Sequence, residues 1–276
     1  MPDATPAQFS VDEILPSYWW VTFENGPVNL VDADSVEQLG HLIDRIEEAS
    51  RLTVVVFTSA NPEHFMAHWD VRADRARVAS MAPGPTGLHP YADNLIRLSK
   101  VPAVTISAIQ GRARGAGSEF ALATDLRFAG DRAILGQSEV GVGAVPGGGA
   151  MARLARLVGR GRAAEIILGA DDLPAELAER YGYVNRVIPD AGLHGFVDAF
   201  ARRIAGFDKT AVAGAKALLD VASLPPDDEF GPGLAAFFAT SGRPENAARI
   251  RFLLENGLQT PHGVEQDLGR AMGELG

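Results

Sequence analysis

The chain has 276 residues and no cysteine, which excludes disulfides, thiol catalysis and Cys-ligated zinc or iron–sulfur centres. Its 35 acidic side chains outweigh 25 basic ones, and the only lysines are Lys100, Lys209 and Lys216, so the net charge of -10 disfavours a phosphate-tracking nucleic-acid surface. A hydrophobic content of 46% and a charged content of 22% are ordinary globular usage, and the length suits one large core with an appendage.

The opening "MPDATPAQFSVDEILPSYWW" lacks the basic and apolar sections of a secretory signal, and no apolar run approaches the ~20 residues of a membrane span. With the missing cysteines, this predicts a soluble cytoplasmic protein with a short loose N-terminal tail and no membrane partner. "YWWVTFEN" (Tyr18 to Asn25) is aromatic and β-branched and ends at Gly26-Pro27, as a strand closed by a turn does. The following "DADSVEQLGHLIDRIEEAS" places Val36, Leu39, Ile43 and Ile46 at spacings of three and four, which predicts a helix with Asp34 as N-cap and Glu37 as its box partner.

"TVVVFTS" (Thr53 to Ser59) and "AVTISAIQG" (Ala103 to Gly111) are apolar runs too short for helices and read as buried strands, with "LRFAG" and "VNRVI" as weaker copies. Strands alternating with helical patterns predict an α/β domain with much parallel pairing. Between the strong strands lies a long insertion, His64 to Lys100, that passes a Pro/Gly cluster and ends in a helix-like "YADNLIRL". After Pro189 the pattern turns helical in "FVDAFARRIAG", "TAVAGAKALLDVA" and "ENAARIRFLLENG", separated by "SLPPDDEFGPG". The division predicted is a core over 1–200 and a helical region over 201–276.

The chemistry concentrates after the second strong strand. Gly115-Ala116-Gly117 precedes the helical "SEFALATDL", leaving backbone N–H groups at a helix start uncovered by side chains, where negative charge is favoured. Glu119 stands in that first turn, and Glu139 follows twenty positions later in a second small-residue turn. The plain alternatives are close helix packing, a capping Glu and a solvated loop acid. Together the two could act as a general acid/base pair, each contributing ~10²–10⁴ in rate.

Competing motifs fail on spacing. "GQSEVG" has one residue too many for a nucleophile elbow at Ser138, and neither G-x-G-x-x-G after a strand nor a P-loop is present. His64, His68 and Asp70 lack metalloprotease spacing, so no metal is expected.

The run from "VPAVTISAIQGRARGAGSEFALATDL" through "GQSEVGVGAVPGGGAMARLARLVGRGRAAEIILGADD" to "NRVIP" resembles the signature half of the enoyl-CoA hydratase/isomerase (crotonase) superfamily, with a weaker likeness from about Trp19 to the C-terminal helices. The resemblance implies a crotonase-like spiral of repeated ββα units, followed by C-terminal helices that build trimers, often paired into hexamers. It implies an acyl-CoA substrate whose thioester oxygen lies between the backbone N–H groups of Trp69, in "FMAHWD", and Ala116, in "RGAGSE". Glu119 would activate the water that adds at Cβ and Glu139 would exchange the proton at Cα, with no metal or redox cofactor. His68, Asp70, Gly115, Gly117 and Gly143 are expected to bind substrate, and residues 72–100 to cover the acyl chain.

Retention of both acids favours hydration of a trans-2-enoyl-CoA, in the setting of fatty-acid metabolism. The alternatives are double-bond isomerisation, thioester hydrolysis, decarboxylation or non-catalytic acyl-CoA binding. The chain departs from the pattern in its bulky Trp69, in Ala116 where Gly is common, in Ser138 where Pro is common, and in "NGPVNLVDADS".

Overall fold

The computed structural model describes residues 6–275. Ten strands and twelve α-helices occur among them: β1 (Phe9–Leu15), β2 (Tyr18–Phe23), α1 (Ala33–Glu48), β3 (Val54–Ser59), β4 (His64–Met66), α2 (Arg75–Ala79), α3 (Pro90–Lys100), β5 (Val104–Ile109), β6 (Arg112–Arg114), α4 (Ala116–Ala123), β7 (Leu126–Gly130), β8 (Ile134–Gly136), α5 (Ala150–Leu157), α6 (Arg160–Gly169), β9 (Leu173–Pro174), α7 (Ala175–Tyr181), β10 (Arg186–Ile188), α8 (Asp190–Ala205), α9 (Lys209–Ser223), α10 (Phe230–Ser241), α11 (Pro244–Glu255) and α12 (Leu268–Gly273).

Two sheets share the strands. The larger has the order β1-β2-β3-β5-β7-β10 and the smaller β4-β6-β8-β9. Three successive strand pairs are divided between them: β3, β5 and β7 join the large sheet in parallel, while their partners β4, β6 and β8 join the small one in parallel. Each pair returns through helix, so the chain winds forward as ββα turns and produces the predicted spiral. Each second strand also ends near the inner edge of the next helix, which is how β6 delivers Gly115 to the start of α4.

Period-two alternation sorts the side chains. Val55 and Phe57 of β3 enter the main core with Trp19, Val21 and Phe23 of β2, whereas Val54, Val56, Tyr18 and Trp20 face the opposite layer with Leu193, Val197 and Ala201 of α8. A strand buried on both faces reads as a continuous apolar run, which is why "TVVVF" was legible.

Three expectations are corrected. The N-terminal tail is not loose throughout, because Phe9–Leu15 pairs antiparallel with β2 and Phe9 stacks 4.9 Å from Phe23; residues 1–5 lie outside the described ones. The cap of α1 is Asp32, which accepts from Ser35 N–H at 2.8 Å while Ser35 Oγ accepts from Asp32 N–H at 2.7 Å. Asp34 and Glu37 instead receive Arg77. In the separator "SLPPDDEFGPG", Phe230 already begins α10, which the apolar pattern did not announce.

The boundary at 200/201 falls inside α8, whose inner face is part of the large sheet's core. Helix α9 is anchored by Lys216, which donates to Ser99 O at 2.7 Å and pairs with Asp125, while its Leu218, Leu219 and Val221 are 75%, 67% and 87% exposed. No described helix is long and apolar enough to cross a membrane.

Candidate active site

A cavity of about 460 Å³ opens between the two-sheet core and helices α10, α11 and α12. Its core wall carries Trp69, Gly115, Ala116, Glu119 and Glu139; its far wall is largely apolar, with Leu234, Phe237 and Phe238 of α10, Ile250 and Leu254 of α11, and Met272 of α12, alongside the polar Ser241, Asn246 and Arg251. The helical region therefore walls the site as well as standing apart from the sheet. Sequence periodicity reported apolar stripes there but could not distinguish a partner surface from a pocket wall.

The first element is the start of α4. Gly115 turns the chain at φ +47°, a left-handed conformation that favours glycine, and donates to Gly136 O at 2.9 Å. Its carbonyl accepts from Glu119 N–H at 2.8 Å, so the Ala116 N–H in the same peptide points the other way, out of the helix start. Gly117 packs on the backbone of β4: a Cβ there would lie 2.0 Å from Met66 O.

The second element follows β4. Val31 N–H donates to His68 O at 2.9 Å, and Asp70 N–H donates to Val31 O at 2.8 Å. With His68 C=O directed at Val31, the Trp69 N–H of that trans peptide faces the opposite side. Neither Trp69 N–H nor Ala116 N–H donates to any group among the described residues. Two free amides, one from a strand end and one from a helix end, thus border the cavity.

Glu119 is buried and held by three donors: Gly148 N–H at 2.6 Å and Ala150 N–H at 3.4 Å to Oε1, and Tyr91 O–H at 2.6 Å to Oε2. Burial raises its pKa, and Tyr91, the two amides and the buried Arg153 guanidinium offset that only in part, so the carboxyl stays above its ordinary range. Glu139 lies in a turn closed on its own carbonyl, which accepts from Val142 N–H at 3.1 Å and Ala144 N–H at 2.8 Å. Its Oε2 is buried with no partner among the described residues. Burial, and then the charge of Glu119, push this carboxyl up to about 8.

The remaining expected residues are placed as follows. His68 borders the cavity, but both ring nitrogens are taken, by Trp69 O at 2.8 Å and by Glu265 Oε2 at 3.0 Å. Burial opposes its charge and Glu265 restores it, leaving the imidazole above its ordinary range. Asp70 also borders the cavity and accepts from Arg72 N–H and Gln259 Nε2, each at 2.8 Å. Gly143 is a turn residue at φ +81° beside Asn246 and is not part of the cavity lining. His64 is buried with its pKa pushed down to about 4, by burial first, against the opposing charge of Glu265. Among the described residues no group of three His, Asp or Glu is placed to hold a metal.

Sequence reasoning missed several contributors. Tyr91 comes from α3, within the insertion expected to cover the acyl chain, and no local motif marks it. Glu265 is fully buried and joins His68 to Arg114, which itself forks onto both oxygens of Asp172 at 2.6 Å. Burial would raise the Glu265 carboxyl, but His68 and Arg114 hold it at about 2. This ionic set ties the segment before α12 to β6 and to the segment after β4 that carries Trp69.

Comparison with known proteins agrees with this geometry. The family model for enoyl-CoA hydratase/isomerase matches residues 17–227. The chain is 32% identical over 179 residues to the short-chain-enoyl-CoA hydratase of Clostridium acetobutylicum, a stretch covering 64% of this chain and 67% of that one. It is 31% identical over 199 residues to the crotonyl-CoA hydratase of Syntrophomonas wolfei, covering 71% and 76%. A crystal structure from Streptomyces avermitilis, of a protein assigned as an enoyl-CoA hydratase, superposes with a TM-score of 0.93 at 39% identity over 100% of both chains. The family match stops at residue 227, before the helices that wall the cavity, whereas the Streptomyces structure spans them. By sequence over most of its length and by fold throughout, the chain is a member of the enoyl-CoA hydratase/isomerase family.

Proposed function

We propose that the protein is an enoyl-CoA hydratase, adding water across the Cα–Cβ bond of a trans-2-enoyl-CoA to give a 3-hydroxyacyl-CoA. The observation that carries this reading is the presence in one cavity of two carboxyl groups with different support, Glu119 gripped by donors from Tyr91, Gly148 and Ala150, and Glu139 with one buried oxygen that has no partner among the described residues. Such a division fits one group for each proton transfer, because a base must be ionised and an acid protonated at the working pH.

The thioester oxygen accepts from the Trp69 and Ala116 N–H groups. Water gives a proton to Glu119 as its oxygen bonds to Cβ, and the Cα–Cβ electron pair moves toward the carbonyl. The negative oxygen that develops is stabilised by the two amides, each worth ~10²–10³ in rate. Glu139 then protonates Cα and the oxygen's charge is withdrawn. The turnover leaves Glu119 protonated and Glu139 ionised, and solvent exchange resets the pair. The acyl end is taken by the apolar wall of α10 and α11, and the cavity needs no metal or redox cofactor for this sequence of bonds.

Supporting a homotrimer, or a hexamer of paired trimers, is the exposed apolar face of α9, which has no cover among the described residues. A cytoplasmic location is consistent with the absence of cysteine and of a membrane-crossing helix among the described residues. A second reading draws on the unpartnered Glu139: one carboxyl that both accepts and returns a proton could shift a double bond from Cβ–Cγ to Cα–Cβ. Incubation with a 2-enoyl-CoA and, separately, a 3-enoyl-CoA separates the two. Hydration gives a product heavier by one water from the first, whereas an isomerase converts the second with no change of mass and leaves the first unhydrated.

A further inference from the structure

Tyr91 is held as though its hydroxyl had one destination. It is the second residue of α3, directly after Pro90, and its N–H donates to the Nδ1 of the capping His89 at 3.2 Å. The other ring nitrogen of His89 is fixed on Val78 O at 2.7 Å. Trp69 packs edge-to-face on the phenol ring at 5.5 Å, and the backbone of Gly148 lies so close that a Cβ there would stand 2.8 Å from the ring and 2.4 Å from Glu119 Oε2. The hydroxyl is thereby delivered to Glu119 Oε2 at 2.6 Å.

The effect on Glu119 is geometric first. With the Gly148 and Ala150 N–H groups on one oxygen and Tyr91 O–H on the other, rotation of the carboxylate plane is opposed from both sides, and the group so held lines the cavity. The groups facing Glu119 are Tyr91 from α3, the Gly148 and Ala150 amides and Arg153 at the start and first turn of α5, and the Glu139 carboxyl from the turn after β8. All but the last favour its ionised form. Burial keeps the phenol itself well above the ordinary tyrosine range, so it stays a donor.

We propose that Tyr91 is a positioning residue for hydration: its hydroxyl fixes the Glu119 carboxylate as the water-activating base, and the lack of any such donor at Glu139 leaves that group as the proton donor. The division of labour is thus written by a side chain from the insertion rather than by the two acids themselves. This inference rests on the hydratase reading given above.

The test is the pH dependence of crotonyl-CoA hydration by the full chain, its Tyr91→Phe variant and its Glu119→Gln variant, with binding of the unreactive butyryl-CoA measured for each. Tyr91→Phe removes one oxygen and keeps the ring contacts. Its kcat should fall about 10- to 100-fold, the loss expected for one hydrogen bond to a charged group. KM and butyryl-CoA affinity should stay within about twofold, and the acidic limb of the profile should move to higher pH because Glu119 loses a donor that favours its ionised form.

A merely structural role would lower stability or affinity without moving that limb. Wild-type kcat and an unmoved limb in Tyr91→Phe, alongside a disabled Glu119→Gln, would overturn the proposal while sparing the hydratase reading. Full turnover in Glu119→Gln, or no hydration by the wild type, would remove both.

Discussion

Glu119 and Glu139 border the same cavity from two very different supports. Glu119 is on the first turn of a helix wedged between the sheets, with every oxygen hydrogen-bonded; Glu139 is on a turn, with an oxygen left bare and a proton retained up to about 8. The difference shows that chemically identical side chains acquire separate electrostatic settings from their donors, since desolvation acts on both. What distinguishes them comes from elsewhere in the chain: from α3 and the start of α5, which supply donors to Glu119, while Glu139 Oε2 has no partner among the described residues.

The largest expected effect comes from removing either charge. Glu119→Gln and Glu139→Gln should each lower the hydration rate by ~10²–10⁴ with CoA-ester binding nearly intact, and the two should lose opposite limbs of the pH profile. Equal profiles in the two variants would break the comparison. The anchor between α12 and the core is probed by Glu265→Gln, which leaves His68 buried without its carboxylate while Arg114 keeps Asp172, and which should cost about 3 kcal/mol of stability by chemical denaturation.

Glu265 and Glu139 also give opposite signs in the stability of the protein against pH. Glu265 is held below its unfolded value of about 4.3, so its contribution is present above that pH and is lost as pH falls toward about 2. Glu139 is held above that same unfolded value, so stability declines as pH rises from about 4.3 to about 8. Thermal melts across this range should show both slopes, and each should vanish in the corresponding Gln variant.

A smaller effect is expected from Gly115→Ala. Its φ of +47° strains any other residue, and the added Cβ would stand 2.9 Å from Glu139 Oε1, so that acid must shift. The hydration rate should fall about tenfold, a displacement of the proton donor rather than its loss. The smallest is Asp32→Ala at the cap of α1, far from both acids, which should cost about 1 kcal/mol with kcat unchanged.

Much of this comparison could be read in the chain before any coordinates. Doubly buried strands announced themselves because parallel packing forces continuous apolar runs, and the two acids stood out because small residues precede each of them. Tyr91 did not, since its reach to Glu119 depends on how α3 lies across α4, a tertiary fact with no local period. Glu265 was equally silent: a carboxylate more than a hundred residues from Arg114 and His68 carries no mark of its partners. The cap of α1 was misplaced by two residues because Asp32 and Asp34 both precede the apolar stripe, and only backbone geometry chooses between them. The cavity's apolar wall was seen as helical stripes, but burial against a ligand and burial against another subunit write the same pattern.

The most direct measurement is hydration of crotonyl-CoA followed by loss of the conjugated-thioester absorbance, with the product weighed by mass spectrometry, from acid to alkaline pH. The expected result is a product heavier by one water, formed at a rate that falls as pH rises through about 8, where Glu139 surrenders the proton that Cα requires. Tight binding of crotonyl-CoA with no water added at any pH would contradict the assignment of these two carboxyl groups as a hydrating pair.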